Sequence, residues 1–177
     1  MNSRNKELVV NSVLAAMVTI LGYVALDFQS IKITFEGFPV IIAGFLFGPL
    51  SGALVGGVGT FIYQLLRYGI TWTTILWSLP YIFSGIFIGF LSKKNFMDKK
   101  SGFFIGIISN ELIITLINTV SIYVDSHIYG WYCPGIITVV LPIRLLIAVS
   151  KGVVFAIILR ELSSSLKKIM NNKARNN

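Results

Sequence analysis

GIITVVLPIRLLIAVSKGVVFAIIL, residues 135–159, is an apolar run broken by two cations, Arg144 and Lys151. A helix needs about 20 mostly apolar residues to cross ~30 Å of hydrocarbon, so this stretch reads as a membrane span. A cation inside such a span is costly. It faces a bundle interior or a wet cavity, where it meets an internal anion or a charged ligand. The seven-residue spacing puts both cations on one helical face, about 10 Å apart along the axis.

The rest of the chain follows the same pattern. Of its 177 residues 55% are hydrophobic and only 12% charged, about half the charged share of soluble domains. Apolar stretches run from about 8–26, 38–47, 50–66, 70–91, 102–124 and 135–159. The expected fold is therefore an all-α membrane protein, a compact bundle of six transmembrane helices in one domain, residues 1–177. The second helix is short, since ten residues cover only about 15 Å. Segments two and three form a hairpin around Gly48-Pro49. Residues 161–177 read as a polar, basic, frayed cytoplasmic tail. Arg4 and Lys6 before the first apolar run resemble a secretory signal, but 8–26 is longer than a signal core and no cleavage pattern follows, so it is taken as a retained span.

Positive charges orient the bundle. With the N-terminus inside, eleven of the Lys and Arg residues fall on the cytoplasmic side and only Lys32 and Arg67 outside, leaving Arg144 and Lys151 within a span. Both termini are thus expected in the cytoplasm. The net charge of +8 is explained by this topology rather than by nucleic acid. The lone Cys133 and lone His127 make a zinc site improbable; no metal and no cofactor are expected. Three external loops result: 27–37, 67–71 and 125–134. In the first, DFQSIKITFEGFP, Ile31, Ile33 and Phe35 alternate with Lys32, Thr34 and Glu36. Period two suggests an extended segment, either a strand on the outer membrane surface or a lid over a pocket. The third, VDSHIYGWYCPG, gathers Tyr129, Trp131 and Tyr132, as an interfacial aromatic belt does and as ring stacking on a ligand would.

Small residues recur four apart: Gly48, Gly52 and Gly56, then Gly85 and Gly89, then Gly102 and Gly106. Close helix approach favours them. In the first segment Ser12 with Ala16 and Ala15 with Thr19 form two such faces, suited to internal packing or to another protein. The fifth and sixth helices run antiparallel. Counting inward from their outer ends puts Asn118 and Arg144 at about 10 to 14 Å and Glu111 and Lys151 at about 20 to 24 Å, some two turns deeper. Glu111 and Lys151 then form a structural pair or share a ligand role, and Arg144 with Asn118 faces outward to a ligand. An intramembrane enzyme is disfavoured because Glu111 is the one carboxylate read inside a span and no Ser/His dyad accompanies it.

The block GFPVIIAGFLFGPLSGALVGGVG after an IKITF segment, the lysine-rich loop between segments four and five, INTVSIY in the fifth and LPIRLL opening the sixth resemble the substrate-binding S component of energy-coupling factor (ECF) transporters, folate-type group. That resemblance implies a vitamin-binding subunit without ATPase activity of its own. It would capture substrate outside, dock on a membrane T component with two ATPase subunits, and release substrate inward. It also places the T component against Ser12, Ala15, Ala16 and Thr19. Folate bears two carboxylates and a donor-rich ring. Arg144 and Lys151 would hold carboxylate, Asn118 and Glu111 would read ring donors, and Tyr123 and Trp131 are the candidate aromatic contacts. The folate-type pattern carries a lysine three positions after the arginine; here that position is Ile147 and the lysine is Lys151. Pantothenate or a queuosine precursor would satisfy the same cations, and a proton-linked small transporter is the alternative of another class.

Overall fold

The computed structural model describes residues 3–28 and 31–175, with backbone alone at residues 3, 27, 28, 31, 136 and 163–175. Among the described residues there are six α-helices and one two-stranded hairpin: α1 (Ser3–Tyr23), β1 (Leu26–Phe28), β2 (Ile31–Ile33), α2 (Gly37–Phe47), α3 (Pro49–Tyr68), α4 (Leu79–Lys93), α5 (Lys100–Ile128) and α6 (Leu141–Arg175). Five segments are long and apolar enough to cross a membrane, and α2 is the short sixth. Their outward faces carry exposed apolar side chains such as Leu8, Val13, Leu54, Leu66, Leu116 and Leu146. In water so many would be a liability; in lipid they are the solvated surface.

The crossing of α3 and α4 explains the glycine spacing. A Cβ on Gly85 would lie 2.1 Å from the backbone carbon of Gly52, and one on Gly89 would lie 2.2 Å from the backbone nitrogen of Pro49. Only glycine permits backbones that close. At the hinge before α3, Gly48 adopts φ 94°, and Pro49 opens α3 where its missing N–H costs nothing. Gly102 serves a different end, approaching the Phe96 carbonyl of the turn before α5. Two buried clusters fill the bundle. One joins α1 to α5 through Leu14, Val18, Val40, Val55, Tyr81 and Ile114. The other joins α2, α4, α5 and α6 through Ile41, Ile88, Ile107 and Phe155.

Several boundaries differ from the sequence reading. Residues 70–75 are not helical: Gly69 takes φ 75°, and the Thr74 hydroxyl accepts the Thr71 N–H at 2.9 Å and bonds the Thr71 hydroxyl at 2.9 Å. Such local side-chain bonds compete with helix formation. Helix α5 runs four residues past 124, so Asp125 is helical rather than in a loop. Before α6 lies a turn of π-helix, Ile136–Val140; Pro142 has no N–H for the carbonyl four residues back and its ring crowds that carbonyl. The tail expected to fray is helical backbone to Arg175, while the side chains of Lys167, Lys168, Lys173 and Arg175 and residues 176–177 lie outside the described residues, as does the side chain of Ile31.

The hairpin is neither flat on a surface nor free. β1 and β2 pair antiparallel with Asp27 opposite Lys32, and the chain then descends into the bundle. Lys151, deep on α6, donates to the Thr34 carbonyl at 3.2 Å, and Phe35 packs on Phe155 with ring centroids 6.3 Å apart. The surface-strand reading is thereby corrected from Thr34 onward, where the segment lies inside the bundle. Non-helical backbone at membrane depth is tolerated where it is buried in protein or lines a wet cavity, and here it does both. The descent also explains why α2 is short: it begins inside the bundle.

Candidate substrate cavity

At the hairpin end the helices part around a cavity of about 470 Å³, within the usual range for small-molecule sites. One wall is the descending segment, which presents Lys32, Thr34 and Glu36 on alternate positions. Tyr63, Gln64 and Tyr68 come from the end of α3, Trp77 from the turn just before α4 and Tyr81 from the start of α4. Helix α5 contributes Asn118, Ile122 and Asp125, with Tyr129 capping its end, a series at i, i+4, i+7 and i+11 that keeps one face turned inward. Arg144 completes the ring from α6.

A smaller recess of about 50 Å³ opens off this chamber toward the bundle centre. It shares Lys32, Thr34, Tyr81, Asn118 and Arg144 with the chamber and adds Ile147, Ala148 and Lys151. Behind it, Lys151 Nζ lies 2.7 Å from Glu111 Oε2, with Glu111 fully buried. Glu111 lines neither compartment. The levels inferred from helical counting hold: Asn118 and Arg144 border the chamber, Glu111 and Lys151 lie beneath it.

Arg144 is half-buried. It donates a long hydrogen bond of 3.4 Å to the Thr119 hydroxyl, and it shares the chamber wall with Asn118. Among the described residues no carboxylate lies within ion-pair reach of Arg144. Lys32 hydrogen-bonds the Tyr63 hydroxyl and sits over the Tyr63 ring, 4.8 Å from its centroid. Trp77 donates to Asp125 at 3.4 Å. Glu36 is buried, its Oε2 is 2.6 Å from the Tyr81 hydroxyl, and burial raises its pKa above the ordinary 4.5 against the opposing pull of Tyr81, Thr34, Lys32 and Lys151.

Besides Glu111, two more of the sequence candidates are not in the cavity. Tyr123 follows the inward-facing Ile122 by one residue, hence about 100° round the helix, and is exposed against His127 and Tyr132. Trp131 is exposed in the loop after α5. Conversely, Glu36, Tyr81, Tyr63 and Trp77 were missed as site residues. Glu36 had a signal, since alternation already put it on one face with Lys32 and Thr34; it is a second buried carboxylate beside Glu111. The aromatic residues had none, because Tyr at a helix end fits a lipid interface equally well.

The two small-residue faces of α1 part company. Ala15 is buried and Thr19 donates to the Gly59 carbonyl at 2.9 Å, so this pair packs on α3. Ser12 and Ala16 are exposed.

The model of the family described as ECF transporter, substrate-specific component, matches residues 6–168. Proteins named UPF0397 protein from Lactococcus lactis subsp. cremoris strains NZ9000 and SK11 are 27% identical over 136 residues, spanning 75% of this chain and 70% and 68% of theirs. A solved structure described as "Structure and mechanism of the S component of a bacterial ECF transporter" superposes with a TM-score of 0.67 at 21% identity, covering 93% of this chain and 99% of that one. The likeness is one of fold.

Proposed function

Because the chain belongs to the family of substrate-specific components of ECF transporters, and is thus an integral membrane protein with a substrate-binding role, we propose that it binds an anionic, ring-bearing vitamin, folate first among the candidates, in the cavity between the hairpin, α3, α4, α5 and α6. The observation that carries this reading is Arg144, set in the wall common to chamber and recess without a carboxylate partner among the described residues. A planar guanidinium suits a carboxylate, which it holds through two parallel hydrogen bonds. Tyr81, Trp77 and Tyr63 offer aromatic surface for the ring. The hairpin end faces outside, by the charge asymmetry of the loops, and ATP is hydrolysed by partner subunits.

Purification of the chain alone in detergent, with mass spectrometry of the small molecule it retains and a fluorescence titration with folate, tests the substrate. Folate or a reduced folate is expected, with saturable quenching. Retention of pantothenate or another metabolite, with no response to folate, would replace the vitamin and keep the fold.

The exposed Ser12–Ala16 face is the proposed contact for the T component. Ala16→Trp is expected to leave folate affinity in detergent within about twofold, since the site is remote from the cavity. The same change should abolish ATP-driven uptake in vesicles holding the assembled transporter. Unimpaired uptake would move the contact elsewhere.

A further inference from the structure

Three side chains from the loop before α2 and the start of α4 form a chain of oxygens at the junction of chamber and recess. Glu36 Oε2 lies 2.6 Å from Tyr81 Oη, and Tyr81 Oη lies 3.0 Å from Thr34 Oγ1. Thr34 and Tyr81 border both compartments. The other carboxyl oxygen, Glu36 Oε1, is buried without a hydrogen-bond partner. It fills the place a side chain on Gly22 would take, 2.6 Å from the Cβ position there, beside the Tyr63 ring.

This geometry discriminates between two states of the acid. An ionised carboxylate carries charge on both oxygens and would leave half of it in a dry contact, which costs far more than burying a neutral group. A carboxylic acid concentrates its demand on one O–H, and the carbonyl-like Oε1 is then the cheaper oxygen to leave unpaired. The nearby cations pull toward the ionised form from a distance, but among the described residues neither forms an ion pair with Glu36. Lys151 pairs with Glu111 and donates to the Thr34 carbonyl, and Lys32 hydrogen-bonds the Tyr63 hydroxyl. Burial of Glu36 favours the same neutral form.

We propose that Glu36 is a neutral positioning acid that sets the direction of this relay: Oε2–H donates to Tyr81, Tyr81 O–H donates to Thr34 Oγ1, and the Thr34 O–H is left free to donate to substrate. Thr34 then joins Arg144 and Asn118 as a donor around the recess, which selects a ligand whose acceptor-rich anionic end enters first. An ionised Glu36 would reverse the relay, turn a Thr34 lone pair toward the ligand and place negative charge beside the anion. The role in selection rests on the reading of the cavity as the substrate site; the direction of the relay does not.

Infrared difference spectroscopy of the ligand-free full chain at pH 7, wild type minus Glu36→Gln, tests the direction. A protonated-carboxyl C=O band in the wild type is expected; carboxylate bands in its place would overturn the proposal. Folate titration of Thr34→Val and Thr34→Ser tests the selection. The valine variant, which keeps shape and loses the hydroxyl, should bind about tenfold more weakly, a hydrogen bond to a charged group being among the stronger ones, and serine should restore the affinity. Equal affinity of valine and wild type would overturn the donor role of Thr34. A wild type that binds no folate would sink the folate reading, while the infrared band still decides the state of Glu36.

Discussion

Arg144→Ala is expected to weaken folate binding by about 10- to 150-fold, the equivalent of a hydrogen bond to a charged group worth about 1.5–3 kcal/mol, with little change in the yield of folded protein. The asymmetry follows from its surroundings. Among the described residues Arg144 makes a single long hydrogen bond, to Thr119 at 3.4 Å, so its removal strands no buried partner there. Its position in the wall of both compartments gives it the carboxylate of an incoming ligand as the partner it lacks. Arg144→Lys should recover part of the affinity, since an ammonium keeps the charge and loses the planar fork. Parallel titrations and gel filtration of both variants check this. Loss of folded protein in step with affinity would make Arg144 a structural residue and remove the main support for an anionic substrate.

Lys151→Met should act in the opposite sense, on folding before binding. Glu111 is fully buried and its Oε2 lies 2.7 Å from Lys151 Nζ. Breaking such a pair from one side leaves an uncompensated buried charge, at about 3–5 kcal/mol. The same change removes the hydrogen bond that holds the Thr34 carbonyl, which adds to the loss at the descending segment. The double variant Glu111→Leu with Lys151→Met should regain most of that stability, because replacing both members with apolar side chains is often neutral. Thermal unfolding in detergent followed by tryptophan fluorescence reads the difference. A Lys151→Met chain as stable as wild type, yet unable to bind folate, would place Lys151 among the ligand contacts.

These two residues show how unevenly the site was legible. Arg144 and Lys151 stood out because a charge in an apolar run is rare, and their depth could be matched to Asn118 and Glu111 on an antiparallel neighbour by counting residues at a constant rise. Tyr123 and Trp131 drew attention for an equally simple reason, aromatic residues near an outer end. Yet one lies off the inward face of α5 and the other in an exposed loop. Likewise Ala15 and Ala16 look alike in sequence and are adjacent. A rotation of about 100° between them buries the first against α3 and leaves the second bare.

The sequence by itself determined the bilayer as solvent, the six helical segments with a short second one, and the small-residue spacing that close helix approach favours, because hydrophobic length and residue spacing are local quantities read along one axis; which helices cross there, α3 and α4, was decided by the tertiary structure. Only the tertiary structure decided that residues 31–36 descend as a cavity wall, that Glu36, Tyr81 and Thr34 share one chain of hydrogen bonds, and which face of α1 stays open. Those outcomes depend on how helices turn toward one another and on which polar groups must find partners away from water. Distances across the bundle set them, and residues such as Thr34 and Lys151, 117 positions apart, meet only once it has formed.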